Sequence, residues 1–500
     1  MRKPRVVLVN LMDDHYKEYS NRHLSQPPLC LGVLAMNTPD DVDVTLLDEQ
    51  VDQPRFEGDV FAFSVTTQLA KKSYAAADRL RQQGKKVVLG GYHVSVCPHE
   101  AARHADSIIV GEAETVWPLV CADIVAGALK PRYAGTPTPP EAMRPIDPAV
   151  YGARQYAFPG ALYGSRGCVY ACSFCGSSRL LGGYRRKALS TLEHEIDLIR
   201  QRHGDVVLQF TDDNPLADKA WRTGLLELVR RKKARFMCQI TVDQLCDTQL
   251  VDELARSGCV AVAAGIESLF EQDVKAVNKM QNLGRPIADA VRHLTSKGIQ
   301  IAALLIYGLE NDTPERIKKS IAHLRAIPFS VYDAGVLRPF PGTGLYFDMI
   351  KDKKTVPQWW LKPESIPTND MLPGYLRVYF NHPHFSAQGL QRSTIDAIDR
   401  LNHVSLTDAL NILRTGVRGR NLWFAIKVIV GRWAVSLQAR RWRRMMAEND
   451  ICNEATCAPH EGLPDTAATL VRPARTKTPL AQAKPGLAAQ GSYAPFEGNP

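Results

Sequence analysis

Three cysteines on one short run carry the strongest chemical signal in this chain. Gly164-Ser165-Arg166-Gly167-Cys168-Val169-Tyr170-Ala171-Cys172-Ser173-Phe174-Cys175 sets thiols in a C-x3-C-x2-C spacing. Thiolates on one tight loop suit three irons of a cubane, whereas a common [4Fe–4S] site uses four. A missing fourth ligand leaves one iron free to bind a small molecule, as in open catalytic metal sites. Gly164, Gly167 and Gly176 allow close wrapping of the loop. A structural zinc loop is the alternative. Zinc normally takes four protein ligands, and no fourth Cys or His stands at short spacing.

Such a loop needs a rigid strand end to hold it. Apolar runs at 161–165, 206–211, 235–241, 260–266, 300–307 and 333–337 alternate with helical stretches such as 191–202 and 286–297. Six such units predict a partial (β/α)6 TIM-type barrel with its chemistry at the C-terminal strand ends. The cluster loop follows the first of them. Upstream, runs at 6–9, 42–47, 60–65, 87–89 and 107–110 also alternate with helical segments such as 70–83. This predicts an α/β, doubly wound, Rossmann-like sheet in front of the barrel. Its strand ends read Asp13-Asp14-His15, Thr66-Thr67, Gly90-Gly91-Tyr92-His93 and Gly111-Glu112-Ala113-Glu114, a polar and Gly-rich cradle for a large cofactor. The expected domains are 1–140 and 155–345, then a helical region over 351–450 and a disordered tail over 451–500. Pro and Gly make 136–160 a linker.

The chain has 500 residues, 45% hydrophobic and 23% charged, ordinary values for a globular protein of two to four domains. The basic start runs directly into the strand at 6–9, so no signal peptide is expected. With eleven cysteines and no secretory signal, metal binding is favoured over a disulfide framework, and a cytoplasmic setting is expected. Cys238, Cys246 and Cys259 read as core residues or as extra barrel thiols.

The net charge of +10 is uneven, because residues 411–450 hold nine Lys or Arg against two acids. Within 421–446, apolar side chains at 422, 426, 429, 433 and 437 form a helical stripe that ends in Arg440, Arg441, Arg443 and Arg444. A peripheral membrane contact fits this pattern. A helix packed on the barrel, with cations suiting its C-terminal dipole, fits it better. No run of 18 apolar residues is free of charge, so no spanning helix is expected. No nucleic-acid module is present.

With Phe174 before the last cysteine, the cluster run resembles the signature of the radical S-adenosylmethionine (SAM) superfamily. The resemblance implies that the open iron binds the amino and carboxylate groups of SAM. An electron, from a donor such as flavodoxin or ferredoxin, then cleaves SAM to a 5′-deoxyadenosyl radical. It implies SAM contacts from Phe174 and from Asp212 or Asp213 after the second barrel strand; their alternative is a helix N-cap before Pro215. Gly265-Ile266-Glu267-Ser268 is similar to the family's G-x-E-S, which assigns Glu267 to SAM. Gly308, in a turn similar to G-L-P-G-E-T but lacking the Pro and second Gly, would lie near the adenine.

The N-terminal landmarks, including Pro27-Pro28-Leu29-Cys30-Leu31-Gly32, resemble the cobalamin-binding (B12) subfamily of class B methyltransferases over residues 5–345. That likeness implies cobalamin contacts at Ser64, Thr66, Gly90, Gly91, Gly111 and Glu112. The cobalt-ligating motif D-x-H-x-x-G is incomplete, with Glu18 in place of Gly after His15. A cobalamin-dependent C-methyltransferase acting on a small natural-product or lipid-like substrate is the leading expectation. A non-methylating radical SAM enzyme and a cobalamin-binding sensor are the alternatives.

Overall fold

A computed structural model describes residues 2–14, 25–177, 183–355, 357–361 and 372–448. His15 and the 451–500 tail lie outside the described residues.

Six parallel strands form the first sheet: β1 (Arg5–Asn10), β2 (Asp43–Asp48), β3 (Val60–Ser64), β4 (Lys86–Gly90), β5 (Ser107–Val110) and β6 (Arg132–Ala134). Their order is β2-β1-β3-β4-β5-β6. Alternate residues feed two separate cores. Val7, Val9, Phe61, Phe63 and Leu89 pack with helix α2 (Ala70–Gln82). Val6, Leu8, Val60, Ala62 and Val88 pack with α1 (Leu29–Met36) and α3 (Trp117–Val125). Burial on both faces is why these strands read as unbroken apolar runs. The order reverses beside β1, and ligands of such sheets sit beyond the strand ends at that switch. β6 was not legible in the sequence, being three residues with only Tyr133 buried.

The segment expected as a linker is packed. Met143, Ile146 and Tyr151 join the core of Val6, Leu8 and Val60 in the first sheet. A Cβ on Gly32 would stand 2.2 Å from the Tyr151 hydroxyl, which accounts for that glycine.

The second sheet is also parallel, in the order β7 (Ala161–Leu162), β10 (Leu208–Phe210), β11 (Phe236–Ile240), β12 (Cys259–Glu267), β13 (Gln300–Tyr307), β14 (Val331–Val336). β7 and β14 are its two edges, so the barrel is open. Helices α4 (Leu189–His203), α5 (Lys219–Arg231), α6 (Thr248–Arg256), α7 (Ile287–Ser296) and α8 (Pro314–Arg325) cover one face. Phe236, Cys238 and Ile240 pack into that helical layer. By the period of two, Gln209, Met237, Gln239 and Asp333 line the other, concave face.

The first barrel strand is shorter than the 161–165 run. The chain leaves the sheet after Leu162, and Ser165–Arg166 (β8) pairs antiparallel with Arg185–Arg186 (β9). Two features force the departure. A Cβ on Gly164 would lie 2.6 Å from the Trp221 ring, and the Asp212 carboxylate takes the amides of Gly164 and Ser165.

Three helices close the described chain: α9 (Ala387–Asn402), α10 (Leu406–Arg418) and α11 (Leu422–Glu448). Ser386 caps α9, and Ser405 with Asp408 forms a capping box on α10.

Candidate functional site

The cluster loop is tied down along its length by groups from the barrel. Asn214 points its amide at the Cys168 sulfur, 3.9 Å away, and is itself held by Gln244 at 3.0 Å. Tyr170 donates to Asp243 at 2.7 Å. Asn278 donates to the Ala171 carbonyl at 2.8 Å, and Gln281 donates to the Cys172 sulfur at 3.6 Å. Ser173 bonds through its backbone to Val277 and Leu345. The chain thus presents three thiols from a fixed frame before any cofactor arrives. Burial raises the Cys168 and Cys172 thiols; Asn214 and Gln281 respectively work in the opposite direction. Among the described residues, no three His, Cys, Asp or Glu groups gather about one metal ion. Thiolates that each take a different iron of a cubane need no such convergence.

The two carboxylates after β10 have different situations. Asp212 is buried, and both its oxygens accept from the cluster-loop base through Gly164 N, Ser165 N and Ser165 Oγ. Burial raises its pKa to about 6 despite those bonds. It positions the loop and has little left to offer a ligand. Asp213 is exposed close to Cys168, and among the described residues its carboxylate accepts from Ser177 Oγ at 2.9 Å. Surrounding protein pushes its carboxyl up, so a cationic ligand group would relieve an electrostatic cost.

Glu267 ends β12 in left-handed backbone, with φ of 59°. The sheet register shifts there, between Gly265 and Glu267. Its carboxylate pairs closely with Lys279. A Cβ on Gly265 would lie 2.4 Å from Lys279 Nζ and 2.6 Å from Glu267 Oε1, so the glycine makes room for the ion pair. Lys279 also sits 5.8 Å over the Phe174 ring. Gly308, with φ of 87°, donates its amide to buried Asp312 at 2.8 Å, as does Leu309 at 3.1 Å. Asp312 therefore shapes this turn without the missing Pro and Gly, and burial lifts its pKa to about 6.

In the N-terminal sheet, Gly91 has φ of 98°, and a Cβ there would stand 2.9 Å from Val65 N. The β3 and β4 ends therefore lie against each other. Cys30, Ser64 and Thr66 lie near the switch point between β1 and β3, where ligands of such sheets sit. Cys30 is exposed at its surface, while nearby protein raises its thiol and Ser64 works in the opposite direction.

Gly111 and Glu112 are engaged within the protein. A Cβ on Gly111 would lie 2.2 Å from the Gly135 carbonyl. Glu112 accepts from Arg166 at 3.0 Å, from both terminal nitrogens of Arg185, and from Thr138 N at 2.7 Å. Burial works to raise its carboxyl, but these partners outweigh it and hold it below the ordinary range. Glu114 also pairs with Arg166. His93 is wholly buried between Thr67 and Glu100.

These contacts join the two sheets. Arg166 lies two residues before Cys168, and Arg185 on β9 braces it. Tyr92 packs against Gly176, where a Cβ would come within 2.5 Å of the ring, and donates to the Pro341 carbonyl at 2.9 Å. The strand ends of the first sheet therefore border the cluster loop of the second. Sequence reasoning missed Asn214, Gln244, Lys279, Gln281 and Asp312. Only Asn214, in the polar run after β10, carried a local signal. Cys238 is a core thiol beside Cys259 on the neighbouring strand, and that neighbour, then burial, raises it.

Residues 162–324 match the model of the radical SAM superfamily. The bacteriochlorophyllide d C-8(2)-methyltransferase of Chlorobaculum tepidum is 29% identical over 356 residues, 67% of this chain and 78% of that relative. The bacteriochlorophyllide d C-12(1)-methyltransferase of the same organism is 30% identical over 342 residues, 65% of this chain and 74% of its own length. Among solved structures, the radical SAM methyltransferase TsrM from Kitasatospora setae, with cobalamin and a [4Fe-4S] cluster bound, superposes with a TM-score of 0.58 at 17% identity. That match covers 88% of this chain and all of TsrM.

Proposed function

The chain belongs to the radical SAM superfamily and has the fold of a cobalamin-bound member, and on that premise we propose that it is a cobalamin-dependent C-methyltransferase. Its acceptor in this reading is an unactivated carbon of a small natural-product or lipid-like molecule. The observation that carries the proposal is the joint between the sheets. Tyr92 on Gly176, Glu112 on Arg166 and Arg185, and Glu114 on Arg166 bring the strand ends of the first sheet to the rim of the cluster loop. The names of the two Chlorobaculum relatives support methyl transfer to a large ring system.

When bound, the cluster and SAM supply a hydrogen-abstracting radical, and cobalamin supplies the methyl group. The chain's own residues bind and orient. Cys168, Cys172 and Cys175 hold three irons and leave the fourth for SAM. Asp213, exposed close to Cys168, would receive the SAM amino group, whose positive charge would offset the desolvation that raises this carboxyl. Glu267 and Lys279 offer opposite charges at the end of β12 for the polar parts of SAM, beside the Phe174 ring. The Gly308 turn, backed by Leu390 and Phe380, would offer its backbone to the adenine. On the other side, Ser64, Thr66, Gly90 and Gly91 let a corrin and its nucleotide tail approach the chain closely. A donor of the flavodoxin or ferredoxin kind completes the scheme.

The test is product analysis of anaerobically reconstituted enzyme with reductant, cobalamin and a porphyrinoid or polycyclic lipid acceptor. Both 5′-deoxyadenosine and S-adenosylhomocysteine are expected. The first without the second would sink methyl transfer in favour of other radical chemistry. A sensor would keep its activity in Cys168→Ala, and the enzyme would not.

A further inference from the structure

Helix α11 is packed by one face and bare on the other. Ala425, Arg432, Ser436, Ala439 and Trp442 are buried. Arg432 donates to the Leu401 carbonyl at 2.6 Å and lies over the Tyr332 ring, and Ser436 donates to Asp399 at 2.6 Å. Arg440 and Arg443 pair with Asp399 as well. The opposite side carries Trp423, Ile426, Val430, Trp433 and Leu437, between 38% and 68% exposed. Their spacing of three and four residues places them on one stripe. Helix α10 adds exposed Leu406, Leu410 and Val417. The helices touch where Gly416 meets Ala425.

Cations border this apolar surface. Arg441 and Arg444 continue the α11 stripe beyond Leu437, and Lys427 lies over Trp423. Arg414, Arg418 and Arg420 belong to α10 and the turn after it. Among the described residues none of these six has an ion-pair partner.

We propose that this face seats the enzyme on an anionic lipid bilayer, with α11 lying flat in the interface. Charge complementarity selects the occupant. Exposed Trp beside apolar and cationic side chains suits the headgroup boundary of an anionic membrane. A second copy of the chain would set six cations against six across a two-fold axis. α11 is long and apolar enough to span a membrane by length and composition. Spanning is disfavoured, because it would strip the buried Arg432 guanidinium from its carbonyls and strand it in hydrocarbon.

Flotation of full-length reconstituted enzyme tests this without turnover, and so independently of the proposed methyl transfer. The probes are vesicles of mixed phosphatidylglycerol and phosphatidylcholine, and of phosphatidylcholine alone. Wild type should float with the anionic vesicles at low salt and about tenfold less with the neutral ones. Trp423→Ser with Trp433→Ser, and separately Arg441→Glu with Arg444→Glu, should each cut flotation about tenfold while cluster content stays at the wild-type level. The charge-reversal pair touches no packed side chain, so it reads the surface even if the tryptophan variant unfolds. Wild type left at the bottom of the gradient would overturn the proposal. So would charge-reversal protein that floats like wild type, or a dimer in sedimentation that Trp433→Ser dissociates.

Discussion

Replacing Glu112 by Gln should loosen the joint between the sheets while leaving the cluster ligands untouched. The carboxylate bridges Arg166 and Arg185, and all three side chains are only 9–14% exposed. Breaking a buried ion pair from one side costs about 3–5 kcal/mol. The loss is smaller in this case because Arg166 keeps Glu114 and Arg185 keeps the Thr138 carbonyl at 2.7 Å. Gln also retains one acceptor. We expect about 2–3 kcal/mol, or roughly 30- to 150-fold in the local opening equilibrium. Amide exchange in the β8–β9 hairpin should accelerate by that factor. The ratio of 5′-deoxyadenosine to methylated product should rise, because a loosened joint misaligns radical and methyl donor. Arg185→Met alone should act in the same direction, and the double variant should lose less than the sum of the two. Wild-type exchange and an unchanged product ratio in Glu112→Gln would refute the argument that this joint couples the two halves.

Asp212 titrates at about 6 in the fold against 3.8 unperturbed, so the folded protein gains a proton in that window before the unfolded chain does. Apoprotein stability should therefore rise by about 1.4 kcal/mol between pH 7 and pH 5 from this group, and Asp212→Asn should lack that increment in urea titrations at the two pH values. Gly265→Ala drives a methyl into the Lys279–Glu267 pair and should cost about 1–3 kcal/mol. It should also raise the SAM concentration needed for half-maximal 5′-deoxyadenosine formation. Asn214→Ala and Gln281→Ala remove the amides aimed at two cluster sulfurs. Each should shift the cluster's reduction potential, read by electron paramagnetic resonance during a redox titration, without loss of iron.

Much of this architecture was legible because parallel strands buried on both faces leave plain apolar runs. Val6–Val9 and Val60–Phe63 could hardly be read otherwise. The cluster loop was legible because three thiols must share a local segment. The clamps around it were not. Gln281 reaches Cys172 across 109 residues and Asn278 reaches Ala171 across 107. No local pattern distinguishes such an amide from any surface Asn or Gln. Strand-end carboxylates carried a related ambiguity. Asp212 and Asp213 are adjacent and chemically identical, yet the turn after β10 aims one at the loop base, where Gly164 and Ser165 hold it, and leaves the other exposed. The resemblance to cobalamin-binding proteins marks Glu112 as a cofactor contact, and nothing in the local sequence foretells that its side chain grips two arginines beside the cluster loop.

That grip bears on how two cofactors would come to work on one acceptor. Each parallel sheet puts its open loops beyond the carboxyl ends of its strands. Two such sheets in one chain share a site only if those ends face the same space. The strap over 136–160 fixes where the second sheet begins, through Ile146 and Tyr151 in the core of Val6, Leu8 and Val60. Tyr92 and Glu112, from the ends of β4 and β5, then contact the residues flanking the three cysteines rather than the cysteines themselves. The loop is thereby held at Arg166 on one side and Gly176 on the other, and between them the thiols meet only amide donors of the barrel among the described residues. An ion pair or packing contact from the first sheet on the thiols themselves would have blocked a cluster. A contact farther away would have left the two crevices free to drift apart.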